Sequence, residues 1–200
     1  IRLGRGTDPT GTWSGSNYVV FKPHDGATAV NLWRLQVTGA SKSAQYYEFT
    51  RSDDTLSTLN FKADTSNSVG AVWASILGAS YLKVSYCDFN IAEVTAPTVL
   101  DAPEAILFNN TGGDGNNVIT YNTIHGALNG VNMKDDGGDN TITFNTLTHI
   151  WNDCIKVGLG NNTVITDNLM YDKKYGDGGL HGDYIQFSLT GASSATTGIV

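Results

Sequence analysis

The feature that most constrains the fold is a repeat of 23 residues in the second half of the chain. The repeat is anchored by three asparagines, Asn122, Asn145 and Asn168, which are spaced 23 residues apart. Each copy contains two short apolar–polar segments on either side of its asparagine, and the gap-free copies span residues 118–124, 141–147 and 164–170. A unit of this size cannot bury its apolar side alone, so it needs neighbouring copies above and below it.

The repeat predicts an all-β fold, a right-handed parallel β-helix that winds as a solenoid with about 23 residues per coil. Asn, Gly, Thr and Val are poor helix formers, and no long stretch repeats with the helical period. An asparagine at one place per coil tolerates a left-handed turn, and its amide can bond to the equivalent amide of the next coil. A degenerate copy at 82–89 has Cys87 in place of the anchor asparagine.

The domain organisation follows from where the repeat is regular. Residues 1–200 are expected to form a single β-helix domain, with irregular opening coils over 1–80 and regular Asn-anchored coils over 81–200. The chain begins at Ile1 and ends in an apolar, strand-like segment, which favours a piece of a longer protein.

Composition excludes some partners. Hydrophobic residues make up 40% of the chain and charged residues only 16%, where about a quarter is usual. The formal net charge is −7, so no nucleic-acid partner is expected, because phosphate backbones are bound by clustered Lys and Arg. No apolar run approaches the roughly 18 residues of a membrane span. Cys87 and Cys154 lie in apolar segments and are interpreted as buried free thiols.

Candidate catalytic residues follow the anchors on two neighbouring coils. If an insertion at 173–179 is looped out, Asp153 lies next to Asp183, and Lys156 lies beside Gln186. Backbones in register are ~4.8 Å apart, so one of two such carboxyls would keep its proton, as hydrolysis of a glycosidic bond requires. The alternative is that these aspartates only close turns. The predicted catalytic residues are Asp153, Asp183, His181 and Lys156.

Aromatic residues around these aspartates indicate a sugar-binding surface. Sugar rings pack against flat side chains, and Trp and Tyr also supply a polar atom. Trp151 precedes the aspartates, although it could equally fill the interior of a coil. The predicted substrate-binding residues are Trp151, Tyr175, Tyr184 and Gln186.

An acidic turn offers a candidate calcium site. Asp135, Asp136 and Asp139 supply carboxylate oxygens of the kind that Ca²⁺ prefers. They lack the full spacing of a known calcium loop, so a solvated acidic turn is the alternative.

The Asn-anchored repeat from 82 to 199 resembles the pectate-lyase-like β-helix superfamily, which includes polysaccharide lyases, glycoside hydrolases, epimerases and phage tailspikes. The segment 152–154, followed by Gly-Asn-Asn at 160–162, resembles the polygalacturonase-type hydrolases, whose motif has paired aspartates before the cysteine. Asn152 replaces the first of that pair, so only Asp153 carries over. The segment 179–182 resembles the Gly-His-Gly of those enzymes, with Leu180 inserted.

The resemblance implies an extracellular, cell-surface or virion-tail protein of the tailspike kind that binds a polysaccharide and could cleave it. Tailspike-like β-helices are often trimers, so a homotrimer is one expectation. Two alternatives stay open: a non-catalytic structural fibre or adhesin module, and a calcium-dependent polysaccharide lyase with Lys156 as its base.

Overall fold

The computed structural model describes residues 2–3, 19–24, 27, 30–38, 44–51, 58–63, 71–76, 79–91, 103–109, 115–134, 138–158, 162–174 and 182–187. All regular elements in these ranges are β-strands, as the sequence predicts, and none is a helix. Within the same ranges there is accordingly no helix of the length and apolarity that crossing a membrane requires.

The strands form three main parallel sheets and one small one. Sheet A contains β1 (Arg2–Leu3), β4 (Leu35–Thr38), β8 (Ala71–Ile76), β12 (Glu104–Asn109), β15 (Val131–Lys134), β18 (Ile155–Val157) and β21 (Ile185–Phe187). Sheet B contains β2 (Val19–Phe21), β6 (Tyr47–Phe49), β10 (Lys83–Ser85), β13 (Val118–Thr120), β16 (Thr141–Thr143) and β19 (Val164–Thr166). Sheet C contains β3 (Val30–Leu32), β7 (Leu59–Ala63), β11 (Asp88–Ile91), β14 (Thr123–His125), β17 (Thr146–Thr148) and β20 (Leu169–Tyr171). The small sheet pairs β5 (Ala44–Gln45) with β9 (Ala79–Ser80).

The order of the strands shows a solenoid. The chain visits sheets B, C and A in turn, as in β13, β14 and β15, and then repeats the circuit one level further along the stack. Each strand pairs in parallel with its counterparts on the neighbouring coils. Stacked parallel sheets of this kind are the arrangement of a parallel β-helix.

The length of a coil is not constant along the stack. Ile119 pairs with Ile142, and Ile142 pairs with Ile165, at the 23-residue spacing of the repeat. Before this region the spacing is longer, because Val84 pairs both with Phe49 and with Ile119, 35 residues away in each direction. The additional residues lie in the connections between strands, so the same coil pattern continues back beyond the visible repeat.

The interior is a column of apolar side chains, with one from each strand of sheets B and C in the regular coils and two or more from each of β12, β15 and β18 of sheet A. In the regular coils Ile119 and Ile142 of sheet B, Ile124 and Leu147 of sheet C, and Ile155 of sheet A are all 0% exposed. Complete burial of such a side chain stabilises the fold by about 1.5–3 kcal/mol. The alternation of apolar and polar residues in the repeat therefore determines which face of each strand points inward.

The anchor asparagines form a buried ladder between coils, as the repeat predicts. Asn122 donates to Oδ1 of Asn145 from its backbone N–H (2.9 Å) and from Nδ2 (3.0 Å). Asn145 donates to Oδ1 of Asn168 in the same two ways, at 3.0 and 2.9 Å. A second ladder joins Asn117 to Oδ1 of Asn140 at 2.9 and 3.0 Å. These amides satisfy backbone groups that no strand can pair.

The left-handed backbone at the turn belongs to the residue before the anchor, and this differs from the sequence-based expectation. Tyr121, Phe144 and Asp167 have φ values of 56°, 56° and 55°. A non-glycine residue in this region carries a conformational cost of about 1–3 kcal/mol. The following asparagine offsets it, since Nδ2 of Asn145 donates to the carbonyl of Thr143 across the turn (3.1 Å).

Cys87 occupies the anchor position one coil before Asn122 and makes weaker versions of the same contacts. Its backbone N–H donates to Oδ1 of Asn122 at 3.0 Å. Its thiol donates to the carbonyls of Ser85 (3.4 Å) and Phe49 (3.6 Å). On the coils that have an anchor asparagine, the side-chain amide donates to the carbonyls at the equivalent positions. Burial raises the pKa of this thiol far above its ordinary value, so it stays protonated.

Replacing Cys87 by asparagine is expected to extend the ladder. An amide donates stronger hydrogen bonds than a thiol, and a second donor would reach Oδ1 of Asn122. We expect the C87N variant to gain about 1 kcal/mol in free energy of unfolding, measured by equilibrium urea denaturation with an unchanged m-value. C87A, which lacks a donor, should lose stability; a C87N variant less stable than the wild type would contradict the equivalence of the two positions.

Candidate functional site

A row of polar side chains lies on the outward face of sheet A. Asn132, Lys156 and Gln186 pair one above another on β15, β18 and β21. The chain neighbours Val131 and Ile155 are completely buried in the core, and side chains alternate along a strand, so Asn132 and Lys156 point outward. Gln186 continues the row because it pairs with Lys156 in register. We call Asn132, Lys156 and Gln186 the polar row. The pairing of Lys156 with Gln186 is the register that the aligned segments predict.

Beside the polar row, a second set of polar residues occupies the coil positions just before these strands. Oδ1 of Asn129 accepts the backbone N–H of Asp153 at 3.0 Å. Oδ1 of Asp153 in turn accepts the backbone N–H of Asp183 at 3.0 Å. The structure therefore brings Asp153 and Asp183 to adjacent coils. Their environments differ, because Asp153 is 0% exposed whereas Asp183 is exposed.

The second oxygen of Asp153 is also occupied. Oδ2 accepts a hydrogen bond from Nδ2 of Asn152 at 3.0 Å and lies 3.8 Å from Nζ of Lys156. The latter distance is long for an ion pair, whose N–O separation is usually about 2.7–2.9 Å. The Lys156 side chain is 29% exposed, so its ammonium lies between the buried carboxylate and solvent. Asp153 thus holds the coils together and supplies the countercharge of Lys156.

Glu104 connects the two sets of residues and was not identified from the sequence. Its Oε1 accepts from Nδ2 of Asn129 (3.0 Å) and from Nδ2 of Asn132 (2.7 Å). The step from β12 to β15 is 25 residues, as in the pairing of Ile106 with Val131, so a gap-free alignment at 23 does not bring this position into register. Allowing a gap of two residues would have aligned Glu104 with Asn129.

Three acceptor oxygens at this surface are buried and have no hydrogen-bond partner. They are Oε2 of Glu104, Oδ1 of Asn132 and Oε1 of Gln186. An acceptor buried without a donor costs about 1–3 kcal/mol. On the outward face of sheet B, by contrast, the hydroxyls of Thr120 and Thr143 are hydrogen-bonded to each other at 3.1 Å. Oγ1 of Thr163, just before β19 of sheet B, is also buried without a partner, so the sheet A surface is distinguished by having three such oxygens on one face.

Lys173 and Gly182 close the edge of this surface. Nζ of Lys173 donates to the carbonyl of Asn152, and a Cβ at position 182 would overlap both groups. Burial lowers the pKa of Lys173, while the neighbouring Cys154, Asp153 and Asp183 act in the opposite direction. Glycine is thus favoured at 182 because a Cβ would overlap the backbone carbonyl of Asn152, which cannot move aside as the flexible end of Lys173 can.

Cys154 follows Asp153 and is not a nucleophile. Burial raises the pKa of its thiol to about 11, although Lys173 lowers it and Asp153 raises it further. A thiol of this kind is protonated at neutral pH and unreactive. The expectation that both cysteines are buried and free is confirmed.

Two of the three predicted aromatic residues, Trp151 and Tyr184, lie within the described ranges. Trp151 is half-buried, and its indole Nε1 is buried without an acceptor. Its backbone N–H donates to the carbonyl of Ala127 on the preceding coil, so Trp151 is ordered within the stack two residues before Asp153. Tyr184 is 48% exposed, next to Asp183. Tyr175 and His181 lie outside the described residues.

The candidate calcium turn is described only at Asp139. Its Oδ1 accepts from Nδ2 of Asn162 at 3.1 Å, and its φ of 54° places it in a left-handed turn. Asp135 and Asp136 lie outside the described residues. Across the ranges that the structure describes, no three His, Cys, Asp or Glu side chains are grouped so that they could hold a metal ion.

Comparison with known proteins does not assign a family. No protein-family model, no curated protein and no solved structure matches the chain. What the protein does must therefore be inferred from the chemistry of this surface.

Proposed function

We propose that this protein binds a polysaccharide along the outward face of sheet A, with the polar row as the centre of the binding surface. The observation that carries this proposal is the set of buried acceptor oxygens on Glu104, Asn132 and Gln186 that have no partner. Maintaining three such atoms lowers stability, and a ligand that pairs with them would recover that free energy. Polar groups repeated about every 4.8 Å along the stack suit a ligand that is itself a repeating chain.

The proposal extends to the fold family and to the location of the protein. A right-handed winding is favoured, because parallel strands of one sheet are joined by right-handed crossovers in about 98% of cases. Together with the resemblance in the Asn-anchored repeat, this supports a member of the pectate-lyase-like superfamily that works outside the cell or on a virion tail. A trimer stays a prediction.

Binding without cleavage has the better support. A general acid must reach the glycosidic oxygen, whereas the Asp153 carboxylate is 0% exposed and both of its oxygens are bonded. This geometry favours a ligand-binding or adhesin module over a hydrolase that uses Asp153 with Asp183. Aromatic contact from the exposed Tyr184 would add to the affinity.

Retention on immobilised polysaccharides tests the proposal. We expect the wild type to be retained by at least one glycan of a panel of plant, algal and bacterial capsular polymers, without new reducing ends or unsaturated uronates. The K156M variant should lower the association constant about tenfold or more, because Lys156 can donate charge-assisted hydrogen bonds to sugar oxygens.

The matched control is K83M on the outward face of sheet B, where Lys83 pairs with Glu48 at 2.8 Å. K83M should bind the same glycan as tightly as the wild type. Failure of every glycan to retain the wild type, or equal losses in K156M and K83M, would count against a binding surface on sheet A.

A further inference from the structure

We infer that the ligand of the polar row is a neutral, hydroxyl-rich glycan rather than a polymer of uronic acids. This inference rests on the proposed function and specifies its substrate class. The three unpaired atoms on Glu104, Asn132 and Gln186 are all oxygens, and each of them can only accept a hydrogen bond. A complementary ligand must therefore donate hydrogen bonds, which sugar hydroxyls do.

The asparagine donors of the site are already committed, whereas Nζ of Lys156 lies 3.8 Å from Asp153 and can still donate to a ligand. Nδ2 of Asn132 and Nδ2 of Asn129 both donate to Glu104, and Nδ2 of Asn152 donates to Asn129 and Asp153. This fixes the orientation of the Asn132 amide, so its unpaired atom is the acceptor oxygen and not a donor. A ligand carboxylate placed here would meet acceptors.

The charges around the row point the same way. The carboxylates of Glu104 and Asp153 adjoin it, while Lys156 faces Asp153 and Lys173 donates to a backbone carbonyl. The Asp183 carboxylate lies near Lys173 at the edge of the surface. Recognition of a carboxylate usually depends on Arg or Lys donors aimed at the ligand. A polymer with one negative charge on each sugar would be repelled by this surface, and the net charge of −7 adds to the repulsion.

The acceptors lie beneath side chains that can rotate. Lys156 is 29% exposed and stands between Asn132 and Gln186 in the register of sheet A. Small rotations of Lys156 and of the half-buried Gln186 would bring hydroxyls of a bound glycan within reach of all three oxygens.

The first experiment compares neutral and acidic glycans on the intact chain. The probes are galactomannan, β-1,3-glucan and dextran on one side, and alginate and polygalacturonate on the other. We expect retention by at least one neutral glycan that persists at high salt, because uncharged hydrogen bonds are not screened. Binding to an acidic glycan at least as tight as to any neutral one would overturn the inference while leaving the proposed function intact. Binding to no probe would overturn both.

The second experiment separates binding from structure with the variant Gln186→Met. Methionine has nearly the same length but lacks the side-chain amide and therefore the unpaired acceptor oxygen. Loss of that buried oxygen should raise Tm by about 2–4 °C. The same change should weaken binding of the retained neutral glycan about tenfold. Thr141→Val, which removes a polar atom from the outward face of sheet B, should leave that binding unchanged. A Q186M variant with lower Tm and undiminished binding would show that the oxygen has a structural role, and it would overturn the inference.

Discussion

Replacement of Asn145 by alanine is expected to lower the free energy of unfolding by about 3–5 kcal/mol. The Asn145 side chain takes part in five hydrogen bonds, two that it accepts and three that it donates. Its removal leaves the backbone N–H of Asn122 and the carbonyl of Ile119 without these partners, and both sites are buried. It also removes the bond that spans the left-handed turn at Phe144.

Equilibrium urea denaturation of wild type and N145A measures the effect. The matched control is N31A, because Asn31 is exposed on β3 and, among the described residues, its side chain accepts one long hydrogen bond of 3.4 Å from Asn60. We expect N31A to lose less than about 0.5 kcal/mol. Similar losses in N145A and N31A would mean that the ladder contributes little beyond ordinary surface contacts.

The ladder was predictable from the sequence because it repeats at a fixed spacing. Asn122, Asn145 and Asn168 are separated by equal intervals, so their alignment requires no knowledge of the connections. The same logic predicted that Asp183 lies over Asp153 and that Gln186 lies over Lys156, once an insertion was allowed. The left-handed residue of the turn was assigned wrongly, because asparagine propensity suggested the anchor while its amide instead stabilises the residue before it.

The place of Glu104 in the site and the register of the early coils were not predicted from the sequence. Coil length changes from 35 residues, between Phe49 and Val84, to 23 between Ile119 and Ile142. Insertions in the connections leave the strands in register while they destroy periodicity in the sequence. The burial of Asp153 could not be predicted either, because nothing adjacent to it in the chain indicates that its carboxylate is completely enclosed. A solvent-facing catalytic acid and a buried bridging acid look the same in one sequence.

Substitution of Asp153 distinguishes these two roles. We expect D153A to lose about 2–4 kcal/mol in free energy of unfolding, because the N–H of Asp183 loses its acceptor and Lys156 loses its countercharge. The loss of stability should stay below the upper end of that range, because the Lys156 ammonium is partly exposed and can be solvated by water. D153N should lose less, because one oxygen remains for the N–H of Asp183.

Thermal and urea unfolding of D153A and D153N should be compared with that of D183A. Asp183 is exposed, and its backbone N–H, which any residue except proline supplies, makes the bond to Asp153. D183A is therefore expected to change stability by less than about 0.5 kcal/mol.

Glycan measurements on the same variants separate a bridging carboxylate from a catalytic one. A bridging Asp153 predicts that D153N keeps most of the affinity for the retained glycan, because the polar row and Glu104 remain in place. A catalytic Asp153 predicts the reverse pattern, in which D153N is as stable as the wild type but loses glycan turnover completely. The complete burial of the carboxylate and the occupation of both of its oxygens favour the first outcome, since a group enclosed between coils contributes to the surface by fixing Lys156 and the turn at Asp183.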